Sequence, residues 1–169
     1  MSDYVHKKAI RLPITEPLIR KFGFNDMEDF IEQFDQLVNE KCPELYHCGD
    51  RIQFSQVFYN LVLNSMQAIS SNGEITVSIS TTKHTIRILF SDNGPGIPEE
   101  NCKKIFEPFF STKDPTSGNG GEGLGLFVVW NILKMYKGTI QVNHKFKDGA
   151  QFIIKIPIEE VNHEPSSNN

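Results

Sequence analysis

Cysteine is scarce in this sequence and follows no pairing pattern. Cys42, Cys48 and Cys102 are an odd number with no CxxC spacing. A disulfide-stapled scaffold and a four-thiolate zinc site are thereby excluded, and His47-Cys48 is half of a metal site with no second half. The thiols are expected to be reduced, in a cytoplasmic protein. Basic residues form no cluster, and the formal net charge is −4 with a pI near 5.7. Nucleic acid is therefore not the expected partner. No apolar run approaches the roughly 20 residues of a membrane span, and the N-terminus has no secretory pattern, so no membrane contact by this segment is expected. There is no internal repeat.

What is present fits one well-filled domain. The 169 residues are 38% hydrophobic and 22% charged, and 13 phenylalanines point to an aromatic core. Residues 1–25 are an N-terminal segment in which AIRLPI suggests a short strand, interrupted by Pro13 and Pro17. Residues 26–158 carry the regular patterning, and the polar stretch 159–169 is expected to be disordered. Met27, Phe30, Ile31, Phe34, Leu37 and Val38 recur at helical spacing before Pro43. Asp50 with Gln53 reads as a capping box, opening a helix to about Ser70. Phe54, Val57, Phe58, Leu61, Ser65, Ala68 and Ile69 share one side of that helix. Gln53, Gln56, Asn60, Asn64 and Gln67 form a second, amide-only stripe.

Two hairpins follow from alternating apolar and polar residues. EITVSISTT pairs with HTIRILFSD, and TIQVNHKF with AQFIIKIPI across Lys147-Asp148-Gly149. Between them lie DNGPGIPEE, a short amphipathic piece around 105–110, a glycine-rich loop and a helix over Leu124–Tyr136. The outline is an α/β two-layer sandwich. Its sheet is mixed and mostly antiparallel, with helices packed on one face.

Three places could carry chemistry. Five glycines fall between Gly118 and Gly125. They match GxGxxG, but no strand precedes them and no Walker A loop exists, so they are a linker or a phosphate cradle at a helix N-terminus. Asp92 stands at a strand end before Asn93-Gly94-Pro95-Gly96, as a simple turn or as an acceptor for an exocyclic amine such as adenine carries. Asn60 and Asn64 lie four apart on one helix face, and an amide oxygen suits magnesium.

The order of these signals is more specific than any one of them. QVFYNLVLNSMQAI resembles the N box of the histidine-kinase-like ATPases, and SDNGPGIPEE their first glycine box. KIFEPFFSTK resembles their phenylalanine box, and GEGLGLFVVWNILKMYKGTI their second glycine box. The resemblance spans roughly 50–158, and the Ser-Thr-Lys ending resembles bacterial sensor histidine kinases. It implies the Bergerat ATP-binding fold, with ATP and Mg2+ as ligands. It implies Asn64 as magnesium ligand, Asn60 and Gln67 toward the phosphates, and Asp92 as acceptor from the adenine amine. Gly94 and Gly96 would admit the base, and Ile97, Phe106, Phe109, Leu124 and Leu126 would also belong to the ATP site. Gly121, Gly123 and Gly125 would approach the phosphates, with a lid between Phe110 and Gly121 carrying Lys113.

Two departures shape the function that the resemblance implies. Asn60 stands where hydrolytic members carry a water-activating glutamate, and an amide is no general base. No phospho-acceptor stretch is present, since His6 is followed by no acid and sits in proline-broken sequence. The implied activity is therefore transfer of the γ-phosphoryl group to a histidine on a separate dimerisation domain, with a response regulator downstream in two-component signalling. The alternatives are a stand-alone ATPase or serine kinase acting on a regulatory partner, and a nucleotide-sensing module without transfer.

Overall fold

The computed structural model describes residues 6–14, 49–69, 73–112 and 122–158. Among the described residues, five strands form one sheet: β1 (His6–Ile14), β2 (Gly73–Thr81), β3 (Thr85–Asp92), β4 (Thr139–Val142) and β5 (Gln151–Pro157). Two described helices accompany them, α1 (Arg51–Ala68) and α2 (Gly125–Met135), with single 3-10 turns at Glu99–Asn101 and Lys104–Phe106. The strand order is β1-β2-β3-β5-β4. Every described pairing is antiparallel, so the expected parallel component is absent among the described residues. β5 inserts between β3 and β4, which keeps those two like-directed strands apart and makes β3–α2–β4 a crossover.

β1 runs through Pro13, which pairs with Glu74. The interruption expected at Pro13 does not occur, because β1 lies at the edge of the sheet among the described residues and a missing N–H is tolerated there; Pro17 lies outside the described residues. The amphipathic piece at 105–110 yields only the turn Lys104–Phe106. The periodic stretch 26–38 and the tail 159–169 lie outside the described residues.

Alternation places one apolar face toward the helices. Ile75, Val77 and Ile79 on β2, Ile86, Ile88 and Phe90 on β3, and Phe152, Ile154 and Ile156 on β5 are all buried. The register stacks Val77 on Phe90 and Phe90 on Phe152, so side chains meet across three strands. From the helices, Phe54, Phe58, Leu61, Val129 and Leu133 complete the core. Each large side chain buried there contributes about 1.5–3 kcal/mol.

Local signals set the helix ends. The Asp50 carboxylate accepts from the Gln53 backbone N–H at 3.1 Å, the expected cap. α2 ends in a Schellman arrangement, with Lys137 N–H donating to Lys134 O and Gly138 N–H to Leu133 O. Lys137 itself occupies the left-handed position at φ 54°.

Candidate functional site

A cavity of about 550 Å³ opens between α1, the start of α2, the end of β3 and the turn after it. Its most informative wall is Asp92. The inward series Ile86, Ile88, Phe90 continues in step to Asp92, which lies opposite Ile75 and is 6% exposed. A carboxylate thus occupies a core position, which is costly unless it is hydrogen-bonded. Its Oδ1 accepts from the backbone N–H of Gly94 at 2.9 Å and of Ala150 at 3.2 Å. Its Oδ2 accepts from the Ser65 hydroxyl at 2.7 Å.

The strand end is locked on both sides. Asp92 N–H donates to Ala150 O, Asn93 N–H donates to Glu74 O, and the Asn93 side-chain oxygen accepts from Glu74 N–H. Gly149 makes this approach possible. Its φ is 144°, and a Cβ there would overlap the Asp92 carbonyl oxygen. Gly94 and Gly96 are near their limits as well. A Cβ on Gly94 would stand 3.0 Å from Asp92 Oδ1, and one on Gly96, at φ +79°, would stand 3.1 Å from Gly149 O.

The opposite wall is the amide stripe of α1. Asn60, Asn64 and Gln67 all line the cavity. The Asn60 Nδ2 donates back to Gln56 O at 2.9 Å, which fixes the side chain against its own helix. The Asn64 Nδ2 is buried without a partner. A half-turn of the terminal torsion exchanges that nitrogen for the carbonyl oxygen, so Asn64 can offer either a donor or a hard oxygen. An orphaned buried amide costs about 1–3 kcal/mol, so a water or a ligand that partners it is stabilising. No group of three or more His, Cys, Asp or Glu suited to a metal exists among the described residues. A magnesium ion held by one amide, by phosphate oxygens and by water fits such a donor set.

The third wall is the start of α2, where Gly123, Leu124, Gly125 and Leu126 line the cavity. Leu124 supplies no side-chain cap. The first-turn N–H groups therefore lack that partner, and with the helix dipole they favour an anion. Gly125 lets α2 meet α1, since a Cβ there would stand 3.2 Å from Asn60 Oδ1 and 3.6 Å from Asn64 Nδ2. Gly123, at φ +69°, lies against the preceding loop. A Cβ on it would stand 2.6 Å from the Phe109 carbonyl carbon, and its own carbonyl accepts from Phe109 N–H at 3.1 Å.

Of the remaining expected residues, Ile97 lines the cavity. Phe106 does not, and instead meets the ring of Phe152 edge-on at 6.4 Å. Phe109 also points elsewhere: it is 75% exposed and held at φ 63°, while Phe110, Ser111 and Thr112 face the cavity. Gly94 reaches the site through its N–H, not as lining. Lys113 and Gly121 lie outside the described residues. Ser65, Gly149 and Ala150 gave weaker signals in the sequence. Ser65 was one hydroxyl on an apolar helix side, and Gly149 read only as a hairpin turn.

An antiparallel sheet under two helices, an inward carboxylate and an uncapped glycine-flanked helix start define an ATP-binding domain of the Bergerat type. A profile described as "Histidine kinase-, DNA gyrase B-, and HSP90-like ATPase" matches residues 49–160, and the chain belongs to that family. It is 38% identical over 127 residues to the sensor histidine kinase ZraS of Escherichia coli O157:H7, covering 75% of this chain and 26% of that protein. It is 35% identical over 113 residues to sporulation kinase A of Bacillus subtilis, covering 67% of this chain and 18% of the relative. The chain thus spans 26% of the length of the first of these relatives and 18% of the second. Among solved structures, the catalytic domain of histidine kinase ThkA superposes with a TM-score of 0.58 at 26% identity, covering 89% of this chain and 97% of that one. Within its family, the chain is a catalytic domain of the sensor histidine kinase type.

Proposed function

We propose that this domain binds Mg-ATP in the cavity and delivers the γ-phosphoryl group to a histidine on a separate dimerisation domain. A response regulator would act downstream. The observation that carries the reading is the buried Asp92 carboxylate, held by neutral donors at one end of a cavity whose other end carries an orphaned amide and an uncapped helix start. Asp92 would accept from the adenine amine, with Gly96 and Ile97 beside the base. Gly123, Leu124 and Gly125 would present backbone N–H groups to the phosphates, and Asn64 would hold the metal. Magnesium supplies neutralisation of phosphate charge when bound.

The chain's own contribution is positioning and electrostatics. None of the α1 residues on the cavity wall is a general base, and Asn60 has its nitrogen committed to Gln56 O. The α1 wall therefore does not activate water, and ATP held against it survives until a histidine imidazole arrives as nucleophile.

The test measures bound intact ATP and released phosphate in one sample at saturating Mg-ATP, with Asp92→Ala as control. Tight binding, barely detectable release and transfer to an added histidine-bearing dimerisation domain are expected. Rapid release that the control abolishes would favour the stand-alone ATPase. Binding without transfer to any supplied domain would favour the sensing module.

A further inference from the structure

We infer that Ser65 is the residue that makes the base site selective, by committing its proton to Asp92. The inference rests on the ATP reading above and goes beyond it. Ser65 lies on the apolar side of α1, 2% exposed, among Phe58, Leu61 and Val62. A hydroxyl at such a position is unfavourable unless bonded. Its partner is Asp92 Oδ2, 2.7 Å away on a strand 27 residues later in the chain.

The direction of that bond decides what the cavity shows to a base. All three described partners of the Asp92 carboxylate are donors, two backbone N–H groups on Oδ1 and the Ser65 hydroxyl on Oδ2. A serine has one proton and two lone pairs. With the proton given to Oδ2, Ser65 has only acceptor capacity left. Ser65 and Asp92 both line the cavity, so this wall presents lone pairs from two side chains and no side-chain proton.

A purine with an exocyclic amine at position 6 brings donors to that wall. A 6-oxo purine brings another acceptor. Accommodating it would require the Ser65 proton to turn away, leaving Oδ2 without a protein partner. Ser65 also restrains the carboxylate itself, because without it only Oδ1 is held. Ser65 is thus a positioning residue that acts through Asp92 to fix specificity for an amino-purine nucleotide.

The test compares dissociation constants for ATP, GTP and purine riboside triphosphate, which lacks the 6-amino group. Wild type, Ser65→Ala and Ser65→Thr are measured, with Tm recorded for each. Ser65→Ala should weaken ATP about tenfold, the worth of one well-aimed hydrogen bond to a charged group. Its affinity for purine riboside triphosphate should hardly change, so the ratio of the two constants falls by the same factor. Ser65→Thr, which keeps the hydroxyl, should restore the ratio. A ratio in Ser65→Ala that is unchanged or larger, or equal losses for both nucleotides, would overturn the inference and leave the ATP reading standing. A wild type that binds none of the three nucleotides would overturn both.

Discussion

The hydroxyl of Tyr136, just past the end of α2, donates to Gln53 Oε1 at 2.5 Å in the first turn of α1. The Tyr136 hydroxyl oxygen in turn accepts from the backbone N–H of Asp50 at 2.9 Å, and the ring stacks on Phe54 with centroids 4.9 Å apart. A Cβ on Gly49 would overlap that ring, so the chain before the cap is bare where the tyrosine lies. One side chain thus ties together the far ends of the two helices that wall the cavity. Tyr136→Phe keeps the stacking and removes both hydrogen bonds. It should cost about 1–2 kcal/mol and lower Tm by roughly 2–8 °C, measured by calorimetry. An unchanged Tm would show that the bonds contribute nothing net.

Gly149→Ala should damage stability and site together. The substitution forces a side chain onto the Asp92 carbonyl and into a backbone region that L-residues rarely adopt. A loss of more than about 2 kcal/mol is expected. ATP affinity should fall in the variant that still folds at low temperature, because Ala150 N–H is one of the donors holding Asp92. A variant as stable as wild type would mean the turn relaxes freely.

Asn64→Ala removes the orphaned amide. Metal-free nucleotide binding should persist, while the gain on adding magnesium should largely vanish, by titration with and without chelator. If magnesium enhances binding equally in both proteins, the ion is held elsewhere.

Lys137→Gly should stabilise. Lys137 holds φ 54° as the left-handed residue of the α2 terminus, and a non-glycine residue there costs about 1 kcal/mol. Replacement should raise Tm by roughly 2–4 °C, read from thermal melts. A lower Tm would show that the lysine side chain contributes more than the strain removes.

Cys102 should react slowly with iodoacetamide. Burial pushes its thiol pKa up, and the carboxylates of Glu99 and Glu100 add to the shift. The thiolate is the reactive form, so labelling should be slower than for free cysteine at neutral pH. It should accelerate as pH rises past the usual thiol range. Labelling at the free-thiol rate at pH 7 would contradict this.

Much of this protein is written locally in its chain. The Asp50–Gln53 cap, the alternation in β2, β3 and β5, and the 3.6-residue stripe on α1 depend on neighbours a few positions apart, so they are legible without coordinates. The order of the four boxes is likewise legible in the chain and points to the family.

Tertiary structure decided what those pieces meet. Whether Pro13 ends a strand depends on its lying at a sheet edge, and whether the sheet is purely antiparallel depends on where β5 inserts. That Phe109 turns outward while Phe110 turns in follows from the backbone held against Gly123. The pairing of Ser65 with Asp92, and of Asp92 with Ala150, brings together residues 27 and 58 positions apart. A hydrogen bond needs its atoms within about 3 Å, and no local pattern in a sequence encodes such a distance between elements that meet only when the core closes.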